Sequence, residues 1–362
     1  MAKSEPDDQD RPIRFVEDKP TDWPRVQELL ALSVHAGRLT NFGPVQHQLS
    51  ALIASMLALE AGRTVVSASS ATAALHALVG AYAVKAGRPL VWAISAYGHA
   101  STSIGPLAGQ VRVVDCDQTG LIDISLLSRL PSASWDGLIA TDLFGAQPDF
   151  SELAGLCAAA GKPMIIDAAV SFPARRSPTV GASEIVSLHH TKPWGYGEGG
   201  CAVVDTALAG DMRAFLNFGG GTVSAFPEFA GNGKMSDIAA AFILQRLESM
   251  EHWAGGYRSQ RQRITELALS EGLSILGRPN PDVVAPHVPV LARAPVASSD
   301  MPSAPFAVAK YYRPLGAGRI AAGLYARVVN IPCHSGMARI DDATLRRFLR
   351  ALPGENELSM RQ

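Results

Sequence analysis

Between residues 60 and 210, short apolar runs alternate with segments of helical pattern, and this alternation constrains the fold more than any other feature of the sequence. The runs are VVSA at 65–68, PLVWAI at 89–94, VRVVD at 111–115, GLIAT at 137–141 and PMIID at 163–167. They lack the strict polar–apolar alternation of strands with one face in water, as strands covered on both faces do. We therefore predict an α/β domain with a mixed, mostly parallel sheet flanked by helices.

A change of pattern after this region predicts a second, smaller domain. The stretch 235–253 has an apolar face typical of one long helix, which would join two domains. From about residue 256 a basic helix leads into Pro-rich connections and short predicted strands, VPVLA and FAVAKYY. We predict a mobile N-terminal tail at 1–20, a large domain at 21–250 and a small α+β C-terminal domain at 251–362.

Charge and cysteine usage exclude several classes of protein. Lys and Arg total 32 against 33 Asp and Glu, so the net charge of −1 offers no field for nucleic acid. The most apolar runs are far shorter than the ~18 residues that span a bilayer, and the polar N-terminal segment does not resemble a signal peptide. The four cysteines are widely spaced, which predicts reduced, buried thiols in a cytoplasmic protein without a metal.

A first candidate site is the segment SASSATAAL at 67–75, where Ser69, Ser70 and Thr72 lie between a predicted strand and an Ala-rich helix. Free backbone N–H groups and the helix dipole favour a phosphate there, and hydroxyl groups add hydrogen bonds. Ser and Thr also cap helices without binding a ligand. The segment alone leaves both interpretations open.

A second candidate is Asp167, at the end of the apolar run in IIDAA at 165–169. Open α/β sheets bind ligands at the carboxyl ends of their strands. An ionised carboxylate there needs a cationic partner, which a protonated pyridine nitrogen would supply. An ordinary helix cap or ion pair would account for the residue equally well.

A third candidate is Lys192 in SLHHTKPWGYGEGG at 187–200. A lysine amine that loses its proton can form a Schiff base with a carbonyl. Pro193 favours an extended backbone at Lys192, and the glycines that follow let main chain approach a bulky ligand. A single lysine is most often only solvated, but here the three candidates together supply what pyridoxal phosphate (PLP) needs: a phosphate site, a pyridinium partner and an imine lysine.

Two other patterns in the same segment predict no site. The glycines at 195, 197 and 200 have the G-x-G-x-x-G spacing of a dinucleotide site, but an apolar run that predicts a strand follows them where a helix is required. The adjacent His189 and His190 would face opposite sides of a strand, which disfavours a shared metal.

The sequence resembles the DegT/DnrJ/StrS family of PLP-dependent sugar aminotransferases, which have the aspartate-aminotransferase fold, fold type I. The similarity runs in the family's order from residue 40 to residue 337. It is carried by TNFGP at 40–44, SSATAAL, DCDQTGLID at 115–123, DLFGAQPDF at 142–150, IIDAA, SLHHTK with GEGG, GNGKMSDIAAAFILQRL at 231–247, KYYRPL at 310–315 and NIPCHSGM at 330–337.

The resemblance implies a role for each matching residue. Lys192 would hold PLP and act as the acid and base, and Asp167 would pair with the pyridine nitrogen. Tyr97 would stack on the cofactor ring. Asn232 would reach the phosphate of the neighbouring subunit, which implies a homodimer with shared active sites. The phosphate would be held by Ser70, Thr72 and Ser187.

Two departures from the family pattern affect the cofactor site. Ala71 stands where the family has glycine, and Val170 stands where a glutamine or histidine contacts the hydroxyl of PLP. Neither removes the imine chemistry, but an apolar side chain cannot hydrogen-bond the cofactor oxygen. His334 and Tyr312 are candidates for contact with substrate, although His334 could equally cap a turn. Three arginines are expected on a solvated helix face: Arg258, Arg261 and Arg263.

The expected function is transfer of an amino group from glutamate to a keto-sugar of a nucleotide sugar in a cytoplasmic enzyme. Two alternatives remain open: a PLP enzyme that acts on a non-sugar ketone or amino acid, and a catalytically silent homologue that keeps the fold.

Overall fold

The central sheet is mostly parallel, as expected. The computed structural model describes residues 11–173, 181–277, 280 and 282–353. Within this part of the chain, the strands of the sheet are β1 (Arg63–Ala68), β2 (Trp92–Ser95), β3 (Val111–Val114), β4 (Gly137–Thr141), β5 (Met164–Asp167), β6 (Ser183–Ser187) and β7 (Gly200–Asp205). Their order is β1-β7-β6-β5-β4-β2-β3, and β7 runs antiparallel to both of its neighbours. The other pairs are parallel.

Helices cover both faces of this sheet. The longer helices of the described residues are α1 (Trp23–His35), α2 (Pro44–Met56), α3 (Ala71–Ala86), α4 (Ile124–Arg129), α5 (Ser151–Ala159), α6 (Thr206–Leu216), α7 (Asp237–Glu248), α8 (Met250–Ser270), α9 (Arg319–Arg327) and α10 (Asp342–Arg350). Helices α3 and α6 pack together on one face, and α2 and α7 pack on the other.

Successive residues along a strand pack into two different hydrophobic cores, one on each face of the sheet. Val65 packs with the α2 and α7 side while Val66 packs with the α3 and α6 side, and Ile166 and Ile165 divide in the same way. Because side chains alternate between the two faces of a strand, a sheet buried on both faces needs apolar residues at every position. This explains why the strands read as continuous apolar runs.

The C-terminal region contains a small antiparallel sheet in the order β10-β9-β8, formed by β8 (Ser274–Ile275), β9 (His287–Leu291) and β10 (Val328–Pro332). The strand predicted for FAVAKYY is wrong, because residues 306–312 form only isolated bridges. The division into domains at residue 250 stays a prediction.

The single helix predicted for 235–253 is broken. Helix α7 ends at Glu248 and α8 begins at Met250, with Ser249 between them. The hydroxyl of Ser249 donates a hydrogen bond to the carbonyl of Arg246, and such local bonds compete with the helix ladder. Ile238 lies on the face of this stretch that the pattern predicts to be apolar and buried, yet it is half exposed.

The mobile tail at 1–20 stays a prediction: residues 1–10 lie outside the described residues, and within 11–20 exposed and buried residues are mixed. Ile13 is buried and exchanges backbone hydrogen bonds with Pro305 and Ala307. Lys19 is buried as well. In the described part of the chain, no helix combines the length and apolar character needed to cross a membrane.

Candidate active site

A cavity of about 360 Å³ opens at the carboxyl ends of the parallel strands, the edge where open α/β sheets bind ligands. Its volume is within the range of small-molecule sites, about 300–1,000 Å³. Strand β5 contributes Asp167 to it, and the turns after β6 contribute Lys192. The structure therefore brings the two principal candidates into one cavity.

The first turn of α3 forms one wall. Ser70 is the N-cap of this helix and accepts a hydrogen bond from the amide of Ala73 at 3.1 Å, and Ala71 and Thr72 follow it along the cavity. Amides in the first turn of a helix have no acceptor within the helix and carry its positive dipole end. Ser187, at the end of β6, lines the same cavity. The structure thus brings the residues of the predicted phosphate site to one wall of the cavity, and their binding of an anion stays a prediction.

The glycines near Lys192 allow close packing of the backbone. A Cβ atom at Gly200 would lie 2.1 Å from the amide nitrogen of Ala71, so only glycine lets β7 pass against the start of α3. A Cβ atom at Gly195 would lie 2.1 Å from the carbonyl oxygen of His189. Strand β7 follows this segment, so the G-x-G-x-x-G spacing reflects packing rather than a dinucleotide site.

Lys192 lies in a tight turn fixed by backbone hydrogen bonds. Its amide donates to the carbonyl of His189 at 2.9 Å, and its carbonyl accepts from the amide of Gly195 at 3.0 Å. Burial lowers the pKa of the Lys192 amine to about 8, although the charge of Asp167 opposes the shift. At pH 7 roughly a tenth of the amine is then neutral, and hence nucleophilic, far more than for a solvated lysine with a pKa near 10.4.

Asp167 is a buried carboxylate at the end of β5, 4% exposed. One of its oxygens accepts a hydrogen bond from the amide of Ala169 at 3.1 Å. Burial raises its pKa, while the Ala169 bond and the charges of His99 and Lys192 act in the opposite direction. A cation placed against this carboxylate would remove most of the cost of burying it in ionised form.

The aromatic ring beside these groups belongs to His99 and not to Tyr97. Tyr97 is fully buried outside the cavity, where its hydroxyl donates to the carbonyl of Tyr311 at 2.7 Å. His99, two residues further along the same loop, lines the cavity and meets the ring of Tyr312 edge-on at 6.0 Å. The stacking role implied for Tyr97 therefore passes to His99 as a prediction. The sequence offers one indication of this: the imidazole ring of His99 lies only two residues after Tyr97 in the same loop.

An aromatic cluster that sequence reasoning missed forms another part of the wall. Tyr312, a candidate for substrate contact, lines the cavity with Phe15, His287 and Tyr311. His287 is 5% exposed, and neither of its ring nitrogens has a hydrogen-bond partner. Burial lowers its pKa to about 3, so the ring is neutral and can offer one donor and one acceptor to a ligand. No local sequence motif predicts that Phe15 or His287 lines the cavity.

Val170 lines the cavity and is 2% exposed, at the position where the family places a polar contact to PLP. If it lies beside the cofactor ring, the phenolic oxygen lacks one hydrogen bond. We expect Val170→Gln to shift the visible absorption spectrum of the cofactor-loaded protein or its pH dependence, measured by spectrophotometric titration. Val170→Met is the control of similar length without a donor. Equal spectra for the two variants would place Val170 away from that oxygen.

Two further candidates lie outside the cavity of their own chain. Asn232 is exposed and accepts a hydrogen bond from the ammonium of Lys234 at 2.7 Å. The N-cap of the following helix, α7, is Ser236, so Asn232 is not the local cap. His334 caps the short 3-10 helix Ser335–Arg339, and its Nε2 contacts the carbonyl oxygen of Arg14 at 2.9 Å. His334 therefore has the turn-capping role that the sequence left open.

The arginines expected on a solvated face have other environments. Arg261 is 3% exposed and donates hydrogen bonds to backbone carbonyls, among them that of Val283 at 3.1 Å. Arg263 pairs with Asp342, and Arg258 donates to the carbonyl of Asp282. The prediction of a solvated face is wrong for Arg261, because its side chain fixes loops below the cavity. No cluster of metal-binding side chains occurs among the residues described.

A buried lysine in a glycine turn, a buried carboxylate at a strand end and a helix N-terminus around one cavity are typical of PLP-dependent aminotransferases. The family model "DegT/DnrJ/EryC1/StrS aminotransferase family" matches residues 23–291. The chain belongs to this family, which confirms the resemblance found in the sequence.

The sequence identity to individual members of the family is low. L-glutamine:2-deoxy-scyllo-inosose aminotransferase of Micromonospora echinospora is 26% identical over 279 residues, which are 71% of this chain and 65% of that protein. The match thus spans slightly less than two thirds of that relative's length.

Among solved structures, one similar structure is that of DesI, crystallised in the presence of its TDP-sugar product. It has a TM-score of 0.75 at 22% identity, and the alignment covers 97% of this chain and 96% of the DesI chain. A structure assigned to a PLP-dependent aminotransferase of Bacillus cereus ATCC 10987 has a TM-score of 0.76 at 17% identity and covers 94% and 100%. These structural similarities confirm the fold-type I architecture, and PLP is the cofactor of the family.

The side chains of the cavity fit PLP. The first turn of α3 and Ser187 suit its phosphate, and Asp167 suits a protonated ring nitrogen. Lys192 suits its aldehyde. All of these groups line one cavity, and the buried carboxylate would gain a cationic partner in addition to His99 and Lys192.

Proposed function

We propose that the protein is a PLP-dependent aminotransferase that moves an amino group from glutamate to a keto-sugar carried on a nucleotide. The observation that carries the proposal is the presence of Lys192 and Asp167 in one cavity that also contains the first turn of α3. Family membership supports the amino-transfer reaction. The TDP-sugar product in whose presence DesI was crystallised supports a nucleotide sugar as acceptor.

The bound cofactor would supply a carbonyl that condenses with amines and a ring that withdraws electrons from the adjoining carbon. Lys192 would hold the cofactor through Nζ and, once displaced by the amino donor, accept and return a proton at Nζ. Its lowered pKa of about 8 suits both directions of transfer near neutral pH. Asp167 would keep the ring nitrogen protonated, and Ser70, Thr72 and Ser187 would anchor the phosphate.

The test follows the two half-reactions separately. Glutamate added to the cofactor-loaded protein should bleach the absorption of the lysine-bound cofactor, and a nucleotide keto-sugar should restore it. L-glutamine is the second donor to test, because one relative is named for it. Restoration only by non-sugar ketones would favour the first alternative, and no bleaching by any amino acid would favour a silent homologue.

We also propose that the functional unit is a homodimer whose active sites each receive Asn232 from the other subunit. Asn232 is exposed and does not line the cavity of its own chain, so its side chain is accessible to a second subunit. Its side chain does not cap α7.

Subunit mixing tests this arrangement. Lys192→Ala and Asn232→Ala should each be impaired, and a mixed dimer should regain activity because one of its two sites carries neither change. We expect up to about half of the wild-type activity per mixed dimer by subunit counting. Demonstrated subunit exchange without activity above that of the parents would show that Asn232 acts within its own chain or not at all.

A further inference from the structure

A buried lysine from the N-terminal segment, Lys19, donates hydrogen bonds to the turn that carries Lys192. The ammonium of Lys19 donates hydrogen bonds to the carbonyls of His190 at 2.5 Å, Lys192 at 2.5 Å and Gly195 at 2.6 Å. Lys19 is only 8% exposed. It lies 171 to 176 residues before its three acceptors, so this contact forms only when the two segments come together in the folded chain.

A second buried cation acts on the same turn. Arg246 donates from Nε to the carbonyl of Pro193 at 2.9 Å and pairs with Glu17 at 2.6 Å. Four carbonyls between residues 190 and 195 thus point towards two buried cations. Burial and the charge of Arg246 lower the pKa of Lys19 to about 7, whereas Glu17 raises it. The three carbonyl acceptors favour the protonated form, because together they use all three ammonium protons.

The arrangement has the chemistry of a site for a monovalent cation. Three carbonyl oxygens that converge on one point repel one another unless a cation lies between them, and rings of carbonyl oxygens bind potassium by replacing its hydration shell. An ammonium ion binds to the same kind of carbonyl site, and the side chain of Lys19 places such an ion there through a covalent link.

We propose that Lys19 is a positioning residue whose ammonium acts as a tethered monovalent cation, fixing the turn that presents Lys192, and that the same carbonyls bind free ammonium or potassium when the side chain of Lys19 is removed. The part that concerns the reactivity of Lys192 rests on the proposed function. The carbonyl site itself does not depend on it.

The experiment compares the wild-type protein with Lys19→Ala in chlorides of ammonium, potassium, lithium and tetramethylammonium at equal ionic strength. Hydrogen–deuterium exchange of peptides covering residues 188–197 reports the order of the turn. In tetramethylammonium, which has no N–H donor and is too large, we expect exchange in the variant to be faster by at least about tenfold, since losing even one charge-assisted hydrogen bond accounts for that factor. Ammonium and potassium should slow it again, and lithium should not.

Two further variants serve as controls. Lys19→Met fills the space without a charge, so its turn should loosen without any response to ammonium. Lys310→Ala removes an ammonium that donates to the carbonyls of Val296 at 2.7 Å and Ala326 at 2.8 Å, away from the Lys192 turn. Exchange of residues 188–197 in that variant should not depend on the cation.

Unchanged exchange in Lys19→Ala, or an equal response to all four cations, would overturn the proposal. If Lys19→Ala does not fold, Lys19→Met still decides the first point, because a turn as protected as in the wild type would exclude the positioning role. The rate at which the cofactor-free protein captures PLP is the second readout. Cation-dependent exchange without any effect on PLP capture would retain the carbonyl site and contradict the role proposed for Lys192.

Discussion

Lys192→Ala is expected to reduce amino transfer by at least about 10²–10⁴-fold, the range contributed by a positioned acid–base group. The variant loses both the covalent attachment of PLP and the proton acceptor at Nζ. Borohydride reduction of the loaded wild-type protein, followed by peptide mapping, should place the pyridoxyl mass on the peptide that contains Lys192. Lys162→Ala, which removes a half-buried lysine that does not line the cavity, is the control and should keep both label and activity. A label on another lysine would refute the assignment.

The lowered pKa of Lys192 gives this prediction a pH dependence. Only the neutral amine attacks a carbonyl, so PLP capture by the cofactor-free protein should become faster as the pH rises and level off above about 8. A solvated lysine, with a pKa near 10.4, would continue to gain rate well beyond that pH. Stopped-flow absorbance across the pH range distinguishes the two curves.

Asp167→Asn is expected to retain PLP but to lose amino transfer by at least about 100-fold, comparable to the loss of a positioned proton-transfer group. An amide cannot stabilise a ring proton by charge. The same change removes the charge that raises the pKa of Lys192, so the midpoint of the PLP-capture curve should move below pH 8. This second readout separates an electrostatic effect from simple loss of folding.

A matched control for the charge change is Asp205→Asn. Asp205 caps α6 by accepting the amide of Ala207 at 2.8 Å, at the far end of β7, and asparagine caps helices as well as aspartate does. This variant should keep activity and the pH profile of PLP capture. Cofactor content must be measured for both variants, and near-normal turnover of loaded Asp167→Asn would mean that another group holds the ring proton.

Several family motifs turn out to stabilise structure rather than contact the cavity. Asp237 of the KMSD segment is fully buried and accepts hydrogen bonds from the amides of Val45 and Gln46 at the start of α2. Asp115 of DCDQTGLID accepts the amides of Ile320 and Ala321 at the start of α9. The motifs that carry the resemblance therefore include aspartates that cap helices as well as residues that line the cavity.

The sequence by itself determined the sheet strands, the family, and the grouping of Ser70, Asp167 and Lys192 as chemistry for PLP. These features depend on local patterns: apolar runs for strands buried on two faces, a hydroxyl at a helix start, and a carboxylate at a strand end. The roles of the site residues stay predictions until the variants are measured.

Only the tertiary structure decided which side chains share the cavity with them. His99 replaces Tyr97 because the loop after β2 turns one ring into the aromatic core and the next into the cavity. Lys19 and His287 come from distant parts of the chain. Arg261 is buried against the carbonyls of Phe144 and Gly145, which lie 117 and 116 residues before it. Contacts between residues more than a hundred positions apart are set by how the layers pack, and no local periodicity encodes them.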